Sequence, residues 1–384
     1  MKILEVYPTL THPVNAGNKQ WLLSQVSILK DLGHDVYIVC VDVPGLKEKY
    51  DEEGYIETKQ YWGDHVFVYK PSFVFRLWSS LCINLRKRLY GGFFKCDNLY
   101  PWGLGNYIEK LNEEYGFDVC IVNYYWLSKA LNYITTPIKA INTHDIFSFR
   151  NLSTHSKIAW MCTTPNEEAK GLMRAEYLFA LQDEEAIFFK HLCPSKKVLT
   201  VYCPYKTTEL PLVKNHNLVM LASSNALNIK GVKWFCENIF PDIIEAFPDV
   251  KLVLGGYICN VLTDYKNHHH IEMIGCVDDP ADLYKYGNIA INPCDDGTGL
   301  KIKTFEALSY GRIAMTHPHS TIGIYKKEQS PVFYSTKAVE WVSYLNDLWT
   351  NEKLLATKMS QSIEYIEDMN NHIMREYKEL KHNN

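Results

Sequence analysis

Residues 289–316 constrain the fold of this chain more than any other stretch. Ile289, Ala290 and Ile291 close a short apolar run of strand type, and Asn292, Pro293 and Cys294 break it. Asp295-Asp296-Gly297-Thr298-Gly299 reads as a turn. A helix is expected next. Thr298 is a candidate N-cap, Ile302, Phe305 and Leu308 recur at three-residue spacing, and Gly311 supplies the stop. Ile313 to Thr316 is a second apolar, β-prone run. Strand, glycine turn, helix and strand make one βαβ crossover.

The chemistry of this unit lies at the start of its helix. Gly297 and Gly299 leave backbone N–H groups bare, so an anion can approach them. The helix dipole adds roughly half a positive charge at the same place. Lys301 and Lys303 put full positive charges in a first turn, where cations are normally unfavourable, so the pair calls for an anionic partner. Glu306 stands three residues after Lys303 on the same helical face and can accept two hydrogen bonds from a ribose diol. Amides and lysines for phosphates with a carboxylate for sugar hydroxyls suit a nucleoside diphosphate. The plainer reading is a capped surface helix with a Lys–Glu pair.

Gly297, Thr298, Gly299, Lys301, Lys303, Glu306 and Ala307 have the order and spacing of a known motif. The segment resembles the nucleotide-sugar-binding motif of retaining glycosyltransferases with the GT-B fold, of the family 4 type. It departs from the motif twice. Arg312-Ile313 replaces the usual residue-Pro pair, and Thr298 stands where many members carry a glutamate. The resemblance implies an α/β chain of two Rossmann-like domains facing a central cleft, with the C-terminal helix crossing back to the N-terminal domain. The expected division is an acceptor domain over 1–208 with 361–384 returning to it, and a donor domain over 209–360.

The whole chain supports two domains. Its 384 residues exceed what one core usually holds. A net charge of −4 gives no reason to expect nucleic-acid binding. Eleven Cys with no Cys-x-x-Cys pair point to reduced thiols, not to a disulfide framework or a zinc ribbon. The opening Met1-Lys2 leads straight into a strand, without a secretory apolar region, and no run of about 18 apolar residues occurs. A cytoplasmic chain is expected, with a place at the inner face of the membrane as an alternative.

In chain order, Lys2–Tyr7, Asp35–Val41, Val66–Tyr69, Asp118–Asn123, Lys139–Asn142 and Lys197–Tyr202 read as strands of the first half. Helices are expected over Trp21–Leu32, Tyr107–Tyr115, Trp126–Tyr133 and Glu167–Leu181, with 43–65 irregular. Phe73 to Phe94 mixes apolar residues with Arg76, Arg86, Lys87 and Arg88. It reads either as a basic amphipathic helix on an anionic membrane or as a core helix with a solvated basic end. Cys203 to Pro211 is a proline-flanked connection, and Leu218–Ala222 opens a second Rossmann-like half. His268-His269-His270 cannot share one helical face, lacks further ligands at suitable spacing, and reads as loop.

The resemblance also implies roles. Gly17, in the first loop, is the candidate to lie against the donor phosphates; a plain turn glycine is the alternative. His144, at a strand end followed by Asp145, is the candidate contact for the donor sugar or acceptor; the alternative is a structural histidine. Lys230 is the candidate phosphate cation, or an ordinary exposed lysine, and the arginine usual before it is absent, since 223–225 read Ser-Ser-Asn. Gly255, at a strand end, is expected beside the nucleobase. Thr298, Gly299, Leu300 and Lys303 complete the donor set, with Lys301 and Glu306 as the groups that act on the reaction. No Asp-x-Asp pair is present, so no cofactor and no metal is expected to be required.

The implied reaction moves a sugar from a nucleoside diphosphate sugar to a glycan or lipid-linked acceptor with retention, in surface polysaccharide or glycoconjugate synthesis. The base stays open between uridine and guanosine. Two alternatives remain: a nucleotide-sugar 2-epimerase of the same fold, and a non-catalytic sugar-nucleotide-binding partner.

Overall fold

The structure is a computed structural model, and it describes residues 1–14, 16–44, 50–89, 91–153, 161–297 and 301–380. It contains two compact units. Unit 1 comprises Met1–Cys203 with His372–Asn384, and unit 2 comprises Pro204–Asn371.

Unit 1 carries a seven-stranded sheet. Its strands are β1 (Lys2–Tyr7), β2 (Asp35–Val41), β3 (Val66–Tyr69), β4 (Val119–Asn123), β5 (Ile138–Asn142), β6 (Tyr177–Ala180) and β7 (Lys197–Thr200), in the order β3-β2-β1-β4-β5-β6-β7. Every neighbouring pair is parallel. The order turns back between β1 and β4, which makes that gap the topological switch point where α/β sheets bind ligands. Apolar runs such as Val119–Val122 are buried on both faces, as parallel strands covered by helices must be.

Several expectations for unit 1 need correction. A helix spans Glu52–Trp62, inside the stretch read as irregular, and Asp51 caps it by accepting from the Gly54 N–H at 2.6 Å. The expected helix over Glu167–Leu181 is instead the helix Pro165–Leu172 followed by strand β6, with a further helix at Asp183–Leu192. Tyr177–Ala180 is four residues long and wholly buried. So short an apolar run has no period by which to separate strand from helix. The turns over Tyr125–Asn132 are 3-10 in type, not α-helical.

Unit 2 repeats the plan with β8 (Asn217–Leu221), β9 (Lys251–Gly255), β10 (Ile271–Gly275), β11 (Ile289–Asn292), β12 (Ile313–Thr316) and β13 (Phe333–Tyr334). The order is β10-β9-β8-β11-β12-β13, again all parallel, and the switch point falls between β8 and β11. One face packs Val232, Phe235, Trp341 and Leu345 over Leu218, Leu252 and Ile313. The other packs Leu283 and Tyr284 over Val219 and Val253.

The helix Glu352–Lys378 serves both units. Within unit 2, Asn370 brackets the Tyr205 backbone, accepting from its N–H at 3.1 Å and donating to its carbonyl at 2.7 Å. Within unit 1, Glu376 accepts from the Thr200 N–H at 3.2 Å, and Tyr377 lies edge-on to Phe179 at 5.5 Å.

Candidate functional site

At the switch point of unit 2, the loops after β8 and β11 meet beside the helix Ile302–Ser309. After β8, the Asn225 side chain caps the helix Ala226–Asn238 by accepting from the Asn228 N–H at 2.8 Å. Asn228 is buried and donates to the Ser223 carbonyl at 2.9 Å, which closes the loop. Gly231 lets this helix approach the other loop. A Cβ there would lie 3.0 Å from the Pro293 carbonyl oxygen and 3.1 Å from Cys294 Cα. That approach brings Lys230 to Asp295, at 2.7 Å.

After β11 the chain turns at Gly297, whose φ of 113° lies in the region open to glycine. Its N–H donates to Asp296 Oδ1 at 2.6 Å. Its carbonyl accepts from Lys301 Nζ at 2.9 Å and from His319 Nε2 at 3.0 Å. Ser320 Oγ donates to the Cys294 carbonyl at 2.8 Å, so the loop after β12 holds this turn at two points. The helix begins at Ile302 and its N-cap position is Lys301, not Thr298. Thr298, Gly299 and Leu300 lie outside the described residues.

A hollow of about 210 Å³ opens here, lined by Asn225, Asn228, Asn292, Asp296, Gly297, Lys301, Lys303 and Ser320. Asn292 donates to Thr304 Oγ1 at 3.0 Å, and its Oδ1 has no partner among the described residues. Glu306 stands further along the helix, and its Oε1 accepts from the Tyr284 hydroxyl at 3.0 Å. Burial pushes the Glu306 carboxyl above its ordinary range, against the pull of the Tyr284 hydrogen bond and the Lys303 charge. Burial also raises Asp295, but the Lys230 ammonium outweighs it and holds that carboxyl low. Arg312 is fully buried. It donates from Nε to the Tyr284 carbonyl at 2.9 Å and from both Nη atoms to the Pro211 carbonyl at 3.2 Å.

The structure thus gathers Gly297, Lys301 and Lys303 at one hollow. Lys230 is close by but paired with Asp295, and Glu306 lies behind, on Tyr284. Gly255 ends β9, and its carbonyl accepts from the Ala222 N–H at 3.0 Å; it is not part of the hollow's lining. Gly17 and His144 belong to unit 1. Gly17 is the first residue of the helix Gly17–Asp31 and is exposed. His144 follows β5 with φ 64°, its ring stacked on Tyr124 at 4.1 Å and met edge-on by Trp21 at 5.0 Å. Tyr284, His319, Ser320 and Asn123 carry contacts to these residues that motif spacing could not disclose, because each comes from another element. Among the described residues no cluster of His, Cys, Asp and Glu offers a metal site.

Residues 215–351 match the family model of glycosyl transferases group 1. An uncharacterized 44.6 kDa protein in the cps region of Klebsiella pneumoniae is 21% identical over 345 residues, which is 80% of each chain. Two solved structures align over 99% of this chain with a TM-score of 0.66. One is Anabaena Alr3699/HepE in complex with UDP, at 14% identity and 100% of its own length. The other is TarM, at 11% identity and 98% of its length. A glycosyltransferase from Rickettsia africae ESF-5 aligns over 99% of this chain and 97% of its own, with a TM-score of 0.64 at 11% identity. The chain therefore has the GT-B fold, and its match to group 1 glycosyl transferases falls on unit 2, where the glycine turn and its lysines stand.

Proposed function

We propose that this chain is a retaining glycosyltransferase that uses a nucleoside diphosphate sugar as donor. The observation that carries the reading is the gathering of Gly297, Lys301 and Lys303 at the switch point of the unit 2 sheet. Breaking the bond between sugar and diphosphate puts negative charge on the departing phosphate. Cations and amides fixed in advance at that place lower the barrier, often by a few kcal/mol each. Lys303 and Lys301 supply the charge. The amides of Thr298, Gly299 and Leu300 are assigned the same task by the motif's spacing. Glu306 holds the ribose diol. With lysines in this role the proposed step requires no metal. A glycan or lipid-linked alcohol is the acceptor, and the relative from a cps region supports surface polysaccharide synthesis.

The test is donor turnover by Lys301→Ala and Glu306→Ala. Each should lose about 100-fold in kcat/KM, close to 3 kcal/mol, with the fold intact by circular dichroism. Rates near wild type in both would remove the site from the reaction.

A membrane-facing acceptor is supported by the helix Phe73–Leu89. Phe75 docks it against unit 1, while Phe73 is 72% and Leu77 57% exposed, with Val74, Trp78, Leu81 and Trp102 also exposed. The sequence places Arg86, Lys87 and Arg88 at the end of the same helix. Apolar residues with adjoining basic ones suit an anionic surface such as the cytoplasmic leaflet. No helix among the described residues is long and apolar enough to cross a membrane. Vesicles containing phosphatidylserine should sediment the chain, and Leu77→Glu with Trp78→Glu should release it. Equal binding to neutral vesicles, or no loss in the variant, would set this contact aside.

A further inference from the structure

Unit 1 has a switch point of its own, and a chain of buried polar groups runs across it. Glu5 lies within β1 and Asn123 ends β4; both are fully buried. Asn123 Nδ2 donates to Glu5 Oε2 at 2.8 Å and to the Val6 carbonyl at 3.2 Å. A carbonyl can only accept, so the amide nitrogen is fixed on that side. Its Oδ1 then faces the other way. It accepts from Asn142 Nδ2 at 3.0 Å and lies 2.8 Å from His144 Nε2. Asn142 is itself held by Gln25, through paired amide bonds of 2.8 and 3.1 Å.

An amide oxygen has no hydrogen to give, so the proton of this contact sits on His144 Nε2. The ring is clamped between Tyr124 and Trp21. Tyr124 and His144 both have positive φ, 72° and 64°, which side-chain-bearing residues adopt at a cost. That strained geometry serves to hold the imidazole in one pose. No group among the described residues bonds Nδ1.

We propose that Asn123 is a positioning residue that locks His144 as its Nε2–H tautomer, so that the ring meets a ligand only through Nδ1, as acceptor of a hydroxyl hydrogen bond. The inference rests on the sugar-transfer reading and deepens it. An acceptor-only ring takes the O–H of the donor's sugar. It offers nothing to a phosphate or carboxylate oxygen. Burial keeps the ring neutral, with its pKa down at about 3. The ionisable groups around it are Glu5 beneath Asn123, Tyr124 on the ring face, and Asp145, which pairs with Arg150 at 2.8 Å.

The test is 15N NMR of the whole chain labelled at histidine, with His144→Gln to assign the ring. Between about pH 5 and 8 the wild-type ring should show one protonated and one bare nitrogen and should not titrate. Asn123→Ser should give a mixture of tautomers. A wild-type ring that titrates in that range, or carries its proton on Nδ1, overturns the proposal without any assay of transfer and whether or not the variant folds. The ligand half is read by adding UDP-glucose and GDP-mannose, each against its bare diphosphate. A sugar nucleotide that moves the Nδ1 resonance where its diphosphate does not supports hydroxyl recognition. Nucleotides that raise the melting temperature but leave Nδ1 unmoved overturn it. If no nucleotide raises the melting temperature, the sugar-transfer reading itself falls.

Discussion

Among the described residues the Glu306 carboxylate takes one hydrogen bond, from the buried hydroxyl of Tyr284. Removing that donor leaves a half-buried carboxyl without its partner, at a cost of about 1–2 kcal/mol. Tyr284→Phe should therefore raise the KM for the donor about tenfold while kcat changes little, as steady-state kinetics would record. Arg312 acts on the same tyrosine from the other side. Among the described residues its guanidinium meets carbonyls and one carboxamide but no carboxylate, and burial lowers its pKa to about 10. Arg312→Leu strands the Tyr284 and Pro211 carbonyls. It should cost about 3 kcal/mol, read from the urea midpoint. In the sequence Arg312 is visible only as a departure from a motif. Its role depends on carbonyls contributed by residues 210, 211 and 284, far away along the chain.

Elements differ in how openly the sequence declares them. β11, the helix after it and β12 were all legible, because apolar spacing and the Gly311 stop agree. The strand β6 and the helix Glu52–Trp62 were not. The first is too short to show a period. The second has a mean burial so low that only Trp62, Thr58 and Gly54 face inward, so its apolar stripe is broken. The helix Ala226–Asn238 starts inside the polar stretch Ser223 to Asn228, which reads as a loop ahead of Lys230-Gly231, and its function as a carrier of Lys230 depends on the close approach at Gly231. Gly231→Ala should push the helix from the 293–294 turn by a few tenths of an ångström and part Lys230 from Asp295. Activity should fall more than stability. Equal activity with an unchanged melting temperature would show that the approach is dispensable.

For the molecule as a whole, buried acids set the response to pH. Burial raises Glu5 and Glu185 to about 8 and Glu168 to about 7, from 4.5. All three belong to unit 1. Each keeps its proton in the fold at a pH where the unfolded chain has lost it. Their stabilising effect is complete below pH 4.5 and drains away as pH rises to about 8. The limiting slope is about 1.4 kcal/mol per pH unit for each group. The melting temperature should accordingly fall from pH 5 to pH 8. Glu5→Gln, which cannot ionise, should flatten the decline, and an unchanged slope would clear Glu5 of the effect.

The helix Glu352–Lys378 has a consequence for how the chain is made. Glu376 and Tyr377 complete unit 1 against Thr200 and Phe179, yet a ribosome delivers them only after the whole of unit 2. The first half to emerge is thus the last to be finished. Its β7 edge waits, unsealed, through the synthesis of everything between, and a premature stop after Asn371 would cripple the opposite end of the polypeptide from the one it shortens.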